Sequence, residues 1–263
     1  MQLTISIIDA FTQHVFAGNQ AAVIITDEWL DDDKMQSIAT ENNLSETAFC
    51  RKLADDNYLI RWFSPITEID FCGHATLASA FVVFSQYESL GEITFSAEAV
   101  GELKVNKLSD GAIQMRFPNR KPEIINDIPE ALLTGVSITP REILRNEQAY
   151  VLVYDNEADV LNISTKNNEL AKLAPYDVVV TAPSSSYDFV SRYFWPANGG
   201  DEDPVTGSIH SGLAPFWSER LAKNELLAYQ ASKRGGELRC KVSGEFVYIS
   251  GYAVKYLTGE ITV

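Results

Sequence analysis

The sequence predicts an α+β fold of two similar halves, each made of short strands around one central helix. Three observations carry this reading. Short β-branched or alternating apolar runs recur along the chain with Gly, Asn and Asp between them. The pattern Arg-aromatic-Phe-x-Pro occurs twice, at Arg61–Pro65 and Arg192–Pro196, at one constant offset. Each copy is followed by a glycine, Gly73 or Gly207, that opens an apolar run of helical length. A chance match of Arg-aromatic-Phe-x-Pro is possible, whereas two copies leading into the same kind of helix point to duplication.

In the first half the runs LTISIID, AAVIIT, ETAFCRK, NYLIRWFS, GEITFSA, GELKVNKL and GAIQMRFP read as strands. A helix is expected from about Asp31 to Asn42, its first turn acidic, which suits the positive end of the helix dipole. The segment after Gly73, ATLASAFVVFSQY, is apolar on nearly every side and therefore predicts a buried helix threaded through a curved sheet. Pro and Asn then accumulate in PNRKPEIINDIP from Phe117, the best linker candidate, which divides the chain into domains 1–117 and 118–263, with a last strand able to return to the first. Beyond it AYVLVYD, YDVVVTAP, YDFVSRYFW, GELRCKVSG, EFVYISG, YAVKYL and GEITV read as strands, and GSIHSGLAPFWSERLAKN as a helix that Pro215 kinks.

Composition narrows the function. The chain has 263 residues, 46% hydrophobic and 22% charged, enough for a proper core. No window approaches the ~18 consecutive apolar residues of a membrane span, and MQLTISIIDAF lacks the features of a signal peptide. Three cysteines without ligand spacing suggest reduced thiols, a cytoplasmic location and no structural zinc. A net charge of −15 repels nucleic acid and anionic lipid, so neither is an expected partner. His14, His74 and His210 are scattered, and neither a dinucleotide fingerprint nor a phosphate-binding loop follows a strand. No metal and no organic cofactor is expected.

The net charge also repels anionic metabolites, which makes the two helix starts informative. A helix N-terminus offers free N–H groups and partial positive charge, and glycine lets a ligand approach the backbone. Two such ends facing each other across a cleft would hold a small carboxylate without lysine or arginine. The first offers Cys72, Gly73, His74 and Ala75; the second offers Asp201, Glu202, Asp203, Thr206, Gly207 and Ser208. Taken singly, Gly73-His74 reads as a plain helix cap with a solvated histidine, and Asp203 as a capping side chain. Glu46 starts an apolar strand, with Leu44, Ala48 and Cys50 on its side under strict alternation. An acid on such a face is normally hydrogen-bonded or ionically paired, a solvent-facing edge position being the plain alternative; if the face looks into the cleft, it is a partly desolvated general base.

At these residues the chain resembles the phenazine-biosynthesis isomerase-like family, whose fold is that of diaminopimelate epimerase. DAFTQHVFAGN (9–19), NLSETAF (43–49), RWFSPITEIDFCGHAT (61–76) and EDPVTGS (202–208) carry the resemblance, in order and across nearly the whole length. It implies two similar domains, each a strongly curved, barrel-like, mostly antiparallel sheet around a central helix, with the site between them. It implies further that Glu46 is the acid/base, that His74 and Asp203 line the site and hold polar groups of the substrate, that Gly207 and Ser208 open the second helix, and that the protein is a homodimer. Two departures stand out. Gln20 follows Gly18-Asn19 where the family usually has proline, and Thr206 stands near the place of the second catalytic thiol of related epimerases, Cys72 being at the place of the first. A threonine hydroxyl is far too weak an acid for carbon deprotonation, which argues against a two-thiol racemase. The expected activity is a cofactor-independent isomerisation of a small carboxylic acid. A racemase using Cys72 and a non-catalytic metabolite-binding protein are the alternatives.

Overall fold

The computed structural model describes residues 1–263 and is an α+β fold of two units. The first comprises Met1–Arg116 with Ser250–Val263, the second Phe117–Ile249. No helix is long and apolar enough to cross a membrane.

The first unit begins with β1 (Gln2–Ala10) antiparallel to β2 (Asn19–Thr26). Helix α1 (Asp32–Asn42) leads to β3 (Glu46–Ala54), which runs parallel to β2. β4 (Asn57–Phe63) returns antiparallel to β3, and the two-residue β5 (Glu68–Ile69) folds back on its end. Helix α2 (Gly73–Gln86) then crosses over to β6 (Glu92–Ala97), parallel to β4, and β7 (Gly101–Lys107) and β8 (Ile113–Pro118) follow as a meander. β2 has no alternating pattern because both its faces are covered. Ala22 and Ile24 lie in a cluster with Met35, Ile38 and Ala39 of α1, while α2 packs on the sheet as well.

Helix α2 contains no Asp, Glu, Lys or Arg and packs against β1, β2, β3, β7 and β18, inside the curve of the sheet. Its hydroxyls are compatible with burial because each bonds back one turn: Thr76 Oγ1 donates to the Cys72 carbonyl at 2.6 Å and Ser79 Oγ to that of Ala75 at 2.8 Å. Each fully buried large aliphatic side chain here, such as Leu77, contributes roughly 1.5–3 kcal/mol, which is why this largely apolar 14-residue segment settles in the middle of the unit.

The second unit repeats this order after β9 (Glu123–Ile124) and α3 (Glu130–Thr134). β10 (Glu142–Arg145) pairs antiparallel with β11 (Ala149–Val153); α4 (Glu157–Asn162) and α5 (Asn167–Leu170) lead to β12 (Asp177–Pro183), parallel to β11. β13 (Phe189–Phe194) is antiparallel to β12 and carries the two-residue β14 (Glu202–Asp203) at its end. Helix α6 (His210–Leu221) crosses to β15 (Glu225–Gln230), parallel to β13, followed by β16 (Gly236–Ser243) and β17 (Phe246–Gly251). The last strand, β18 (Ala253–Thr262), is one continuous strand antiparallel to β1, where the sequence suggested two.

The repeated arginine has the same task in each unit. Arg61 grips Glu68 through Nε and Nη2, both at 2.7 Å, and Arg192 grips Glu202 at 2.7 and 2.9 Å. Each two-point fork clamps the short hairpin, β4–β5 or β13–β14, from which the chain turns into its central helix. Pro215 sits inside α6, where it cannot donate to the Ser211 carbonyl. That carbonyl accepts from the Arg120 backbone N–H instead, at 3.1 Å.

Candidate active site

In the first unit a tight loop delivers the chain to Asn19. Gly18 has φ +65°, and a Cβ there would lie 2.2 Å from the Ala10 carbonyl oxygen, so only glycine fits. Asn19 opens β2 and is fully buried. The parallel β2–β3 register sets Ala21 opposite Glu46, the first residue of β3, and thereby brings the Asn19 amide toward the same end of the sheet. His74 comes from the first turn of α2.

These three side chains form one polarised set. His74 Nε2 lies 2.9 Å from Glu46 Oε2, with the two side chains 6% and 11% exposed. His74 Nδ1 lies 3.1 Å from Asn19 Nδ2 and 3.4 Å from Cys72 Sγ. Ser45 Oγ donates to Asn19 Oδ1 at 3.1 Å, which orients the amide with its NH₂ toward the imidazole. A neutral His74 accepts from Asn19 at Nδ1 while its Nε2 stays in contact with Glu46 Oε2. An imidazolium keeps that ion-pair contact and turns its Nδ1–H to the Cys72 sulfur. Both protonation states therefore have partners.

Burial disfavours the imidazolium of His74, but the neighbouring Cys72 and Glu46 outweigh it and raise the pKa well above the ordinary imidazole value. Of these two, the Glu46 carboxylate is the partner that matters near neutrality. Burial, reinforced by Glu46, pushes the Cys72 thiol up to about 11, so it is not a thiolate there. Glu46, Cys72 and His74 each offer a ligand atom, all within 4.8 Å of one another, and are the residues that could hold a metal ion. A metal would have to displace the thiol proton and break the Glu46–His74 contact.

In the second unit Asp203 ends β14, opposite Tyr193. Thr206 Oγ1 donates a short hydrogen bond to Asp203 Oδ2. The loop is pinned by Gln230, itself fully buried, whose Oε1 accepts the Thr206 N–H at 2.9 Å and whose Nε2 donates to the Asp203 carbonyl at 2.8 Å. Gly207 and Ser208 begin a turn, not the regular helix. The His210 and Ser211 N–H groups bond three residues back, to the Gly207 and Ser208 carbonyls, and α6 itself starts at His210. The tighter turn displaces the sequence-based helix start by three residues. Ser208 Oγ accepts from Gln148 Nε2 at 3.0 Å.

The structure thus gathers Glu46, Cys72, Gly73, His74 and Ala75 in the first unit, and Asp203, Gly207 and Ser208 in the second. Leu44 does not share the face of Glu46. It precedes β3, just beyond the left-handed Asn43 (φ 48°) that ends α1, and packs with Phe49 and Phe63 in the cluster under α1. Alternation does not extend across that turn. Asn19, Ser45, Gln148, Asp177, Tyr193 and Gln230 were not picked out from the sequence. Asp177 had a signal: the offset that carries Arg61 to Arg192 also carries Glu46 to Asp177. A groove of about 740 Å³ in the first unit, lined by Trp29, Arg61, Trp62, Glu68 and Asp70, contains none of the predicted site residues.

Comparison with known proteins gives a consistent picture. The family model for phenazine biosynthesis-like proteins matches residues 8–259. An uncharacterized isomerase of Pseudomonas aeruginosa is 44% identical over 261 residues, 99% of each chain. A crystal structure of a phenazine biosynthesis protein of the PhzF family from Enterococcus faecalis is 40% identical, covers both chains completely and gives a TM-score of 0.94. A hydroxyproline epimerase from Agrobacterium vitis, 10% identical over 99% of this chain and 92% of its own, gives 0.57 and shares the fold.

Proposed function

The chain belongs to the phenazine biosynthesis-like family, and on that premise we propose that it is an isomerase that moves a proton within a small carboxylic acid, with Glu46 as the acid/base. The observation that carries this reading is the buried Glu46–His74 pair, 2.9 Å apart, at the end of β3 and the first turn of α2. A general base for carbon deprotonation needs a carboxylate withdrawn from bulk water and held in one orientation. His74, backed by Asn19 and Ser45, supplies that orientation.

In the proposed reaction a C–H bond of the substrate breaks, its proton passes to the Glu46 carboxylate, and its electron pair enters the adjacent π system. Glu46 then returns the proton at another carbon. No electrons are gained or lost, so the step requires no redox cofactor. Within each unit by itself, the backbone N–H groups that open the central helix, at Gly73 and Ala75 in the first and at Gly207 and Ser208 in the second, are assigned to carboxylate binding, and Asp203 to a hydroxyl or amino group. Cys72 is a poor candidate for a racemase base because its thiol is pushed to about 11 and the residue at 206 is threonine. The homodimer of the family is assigned to this chain on the same footing.

The test is a screen of small unsaturated or hydroxylated acids in deuterated water. Enzyme-dependent deuterium at one carbon, with a shifted double bond, is the expected result. Deuterium at a stereocentre with inversion and no shift would mean a racemase instead, and absence of exchange in every acid that binds would mean a binding protein.

A further inference from the structure

The surroundings of Ser208 are the second unit's counterpart of the Glu46–His74 pair, with different chemistry. Asp177 opens β12 as Glu46 opens β3. Ala149 lies opposite Asp177 as Ala21 lies opposite Glu46, and Val178 faces Phe194 as Thr47 faces Phe63. The acid at this position does not meet a histidine from the helix. Asp177 Oδ2 accepts from Tyr193 O–H at 2.6 Å, and its Oδ1 accepts from Asn198 Nδ2 at 2.8 Å. Gln148 Nε2 then donates twice, to Tyr193 Oη and to Ser208 Oγ, both at 3.0 Å.

We infer that Gln148, held by Tyr193 and Asp177, is a positioning residue that fixes the Ser208 hydroxyl as a hydrogen-bond donor to an anionic ligand oxygen. The direction of every bond follows from the groups involved. A carboxylate only accepts, so Tyr193 donates to Asp177 and its oxygen is left to accept from Gln148. An amide NH₂ only donates, and its second hydrogen goes to Ser208 Oγ. The Ser208 oxygen is thereby occupied as an acceptor, and its own proton is directed to an acceptor outside the network. The main chain that carries Gln148 is fixed as well. Its backbone N–H and that of Ala149 both donate to Asn146 Oδ1 at 2.9 Å, and its carbonyl accepts the Asp177 N–H at 3.2 Å. Ser208 is only partly buried and its turn leads directly into α6, so a carboxylate oxygen there meets a donor hydroxyl beside backbone N–H groups.

The inference rests on the proposed function only in placing a carboxylate at Ser208, and its test needs no substrate. Sodium formate is titrated into labelled protein while the Ser208 backbone amide is followed by NMR, with formamide as the uncharged control. A saturable shift with formate alone is expected, weakened about fivefold or more in Gln148→Met and in Gln148→Glu, the loss of about one hydrogen bond. Gln148→Glu reverses the network because its carboxylate draws the Ser208 proton inward; Gln148→Met removes the donor without adding charge. The Gln148 side-chain amide gives a second reading. In wild type both its protons should be protected from exchange, and Tyr193→Phe and Ser208→Ala should each release one. Fast exchange of both protons in wild type, no saturable formate response in the folded protein, or unchanged formate affinity in Gln148→Met would overturn the inference. A formate response in a protein that isomerises nothing would remove the isomerase reading and leave this one standing.

Discussion

His210 should make the second unit lose stability in acid, by an amount that the structure sets. The imidazole is fully buried beside the Phe189 ring, its centroid 5.9 Å away. Nδ1 lies 2.8 Å from the Thr206 carbonyl, so the neutral ring carries its proton there, and Nε2 is buried without a partner. Burial pulls its pKa down to about 4, against the weaker opposing effect of the Thr206 carbonyl. The folded-state value is below the unfolded one, so as pH falls the unfolded chain takes up a proton first. The contribution is fully present above about pH 6.5, declines between about 6.5 and 4, and is exhausted below that; a gap of about 2.5 units corresponds to about 3 kcal/mol. The assay is urea unfolding followed by tryptophan fluorescence at several values between pH 7.5 and 4.5, comparing wild type with His210→Phe. The phenyl ring fits the same aromatic stack and does not titrate. The wild type should lose more stability than the variant over that interval, by about 2–3 kcal/mol. Parallel pH profiles for the two proteins would refute the reasoning.

Gly18→Ala forces a Cβ to 2.2 Å from the Ala10 carbonyl at φ +65°, so thermal unfolding should show a loss of about 2–4 kcal/mol; a loss below about 1 kcal/mol would mean the loop yields easily. Gln230→Leu removes three hydrogen bonds to the Asp203–Thr206 loop from a fully buried side chain. It should cost about 2–4 kcal/mol and speed hydrogen exchange at the Thr206 amide, and unchanged exchange would count against its pinning role. Cys72, 6% exposed with its thiol pushed to about 11, should resist iodoacetamide at pH 7.5, and Cys72→Ala should retain turnover. Rapid labelling with complete inactivation would return the thiol to the chemistry.

Helix α2 was legible because a run that is apolar on nearly every side is a strong signal: the segment after Gly73 has one plausible destination, the middle of a curved sheet. The duplicated hairpins were legible through Arg61 and Arg192, whose glutamate forks explain why that pattern recurs. Helices α3, α4 and α5 were not read, since each is four to six residues long with a single buried apolar residue, Leu132, Val160 or Leu170, and so has no periodicity. Thr258-Gly259 reads as a break between two strands in the sequence, although β18 runs through the glycine in register with β1. Glu46, His74 and Asp203 stood out by residue type and motif. Their supports did not, because Asn19 reaches His74 only through the parallel β2–β3 pairing and Gln148 reaches Ser208 across 60 positions of sequence. Asp177 is the instructive miss. It repeats the place of Glu46 but pairs with a tyrosine, so a search for repeated residues passes it by, whereas the repeated register reveals it.

The most direct measurement is turnover and ligand binding in Glu46→Gln, with the acid that exchanges deuterium in the wild type. Glutamine keeps the size of the side chain and its amide oxygen can keep the contact with His74 Nε2, but it cannot take up the substrate proton. Binding of the acid should change by less than about threefold, while kcat falls by about 10²–10⁴, the usual contribution of a positioned acid/base. Deuterium incorporation should fall by the same factor as turnover, since both pass through one carboxyl group. Full activity and undiminished exchange in Glu46→Gln would contradict the assignment and move the proton transfer to Asp203.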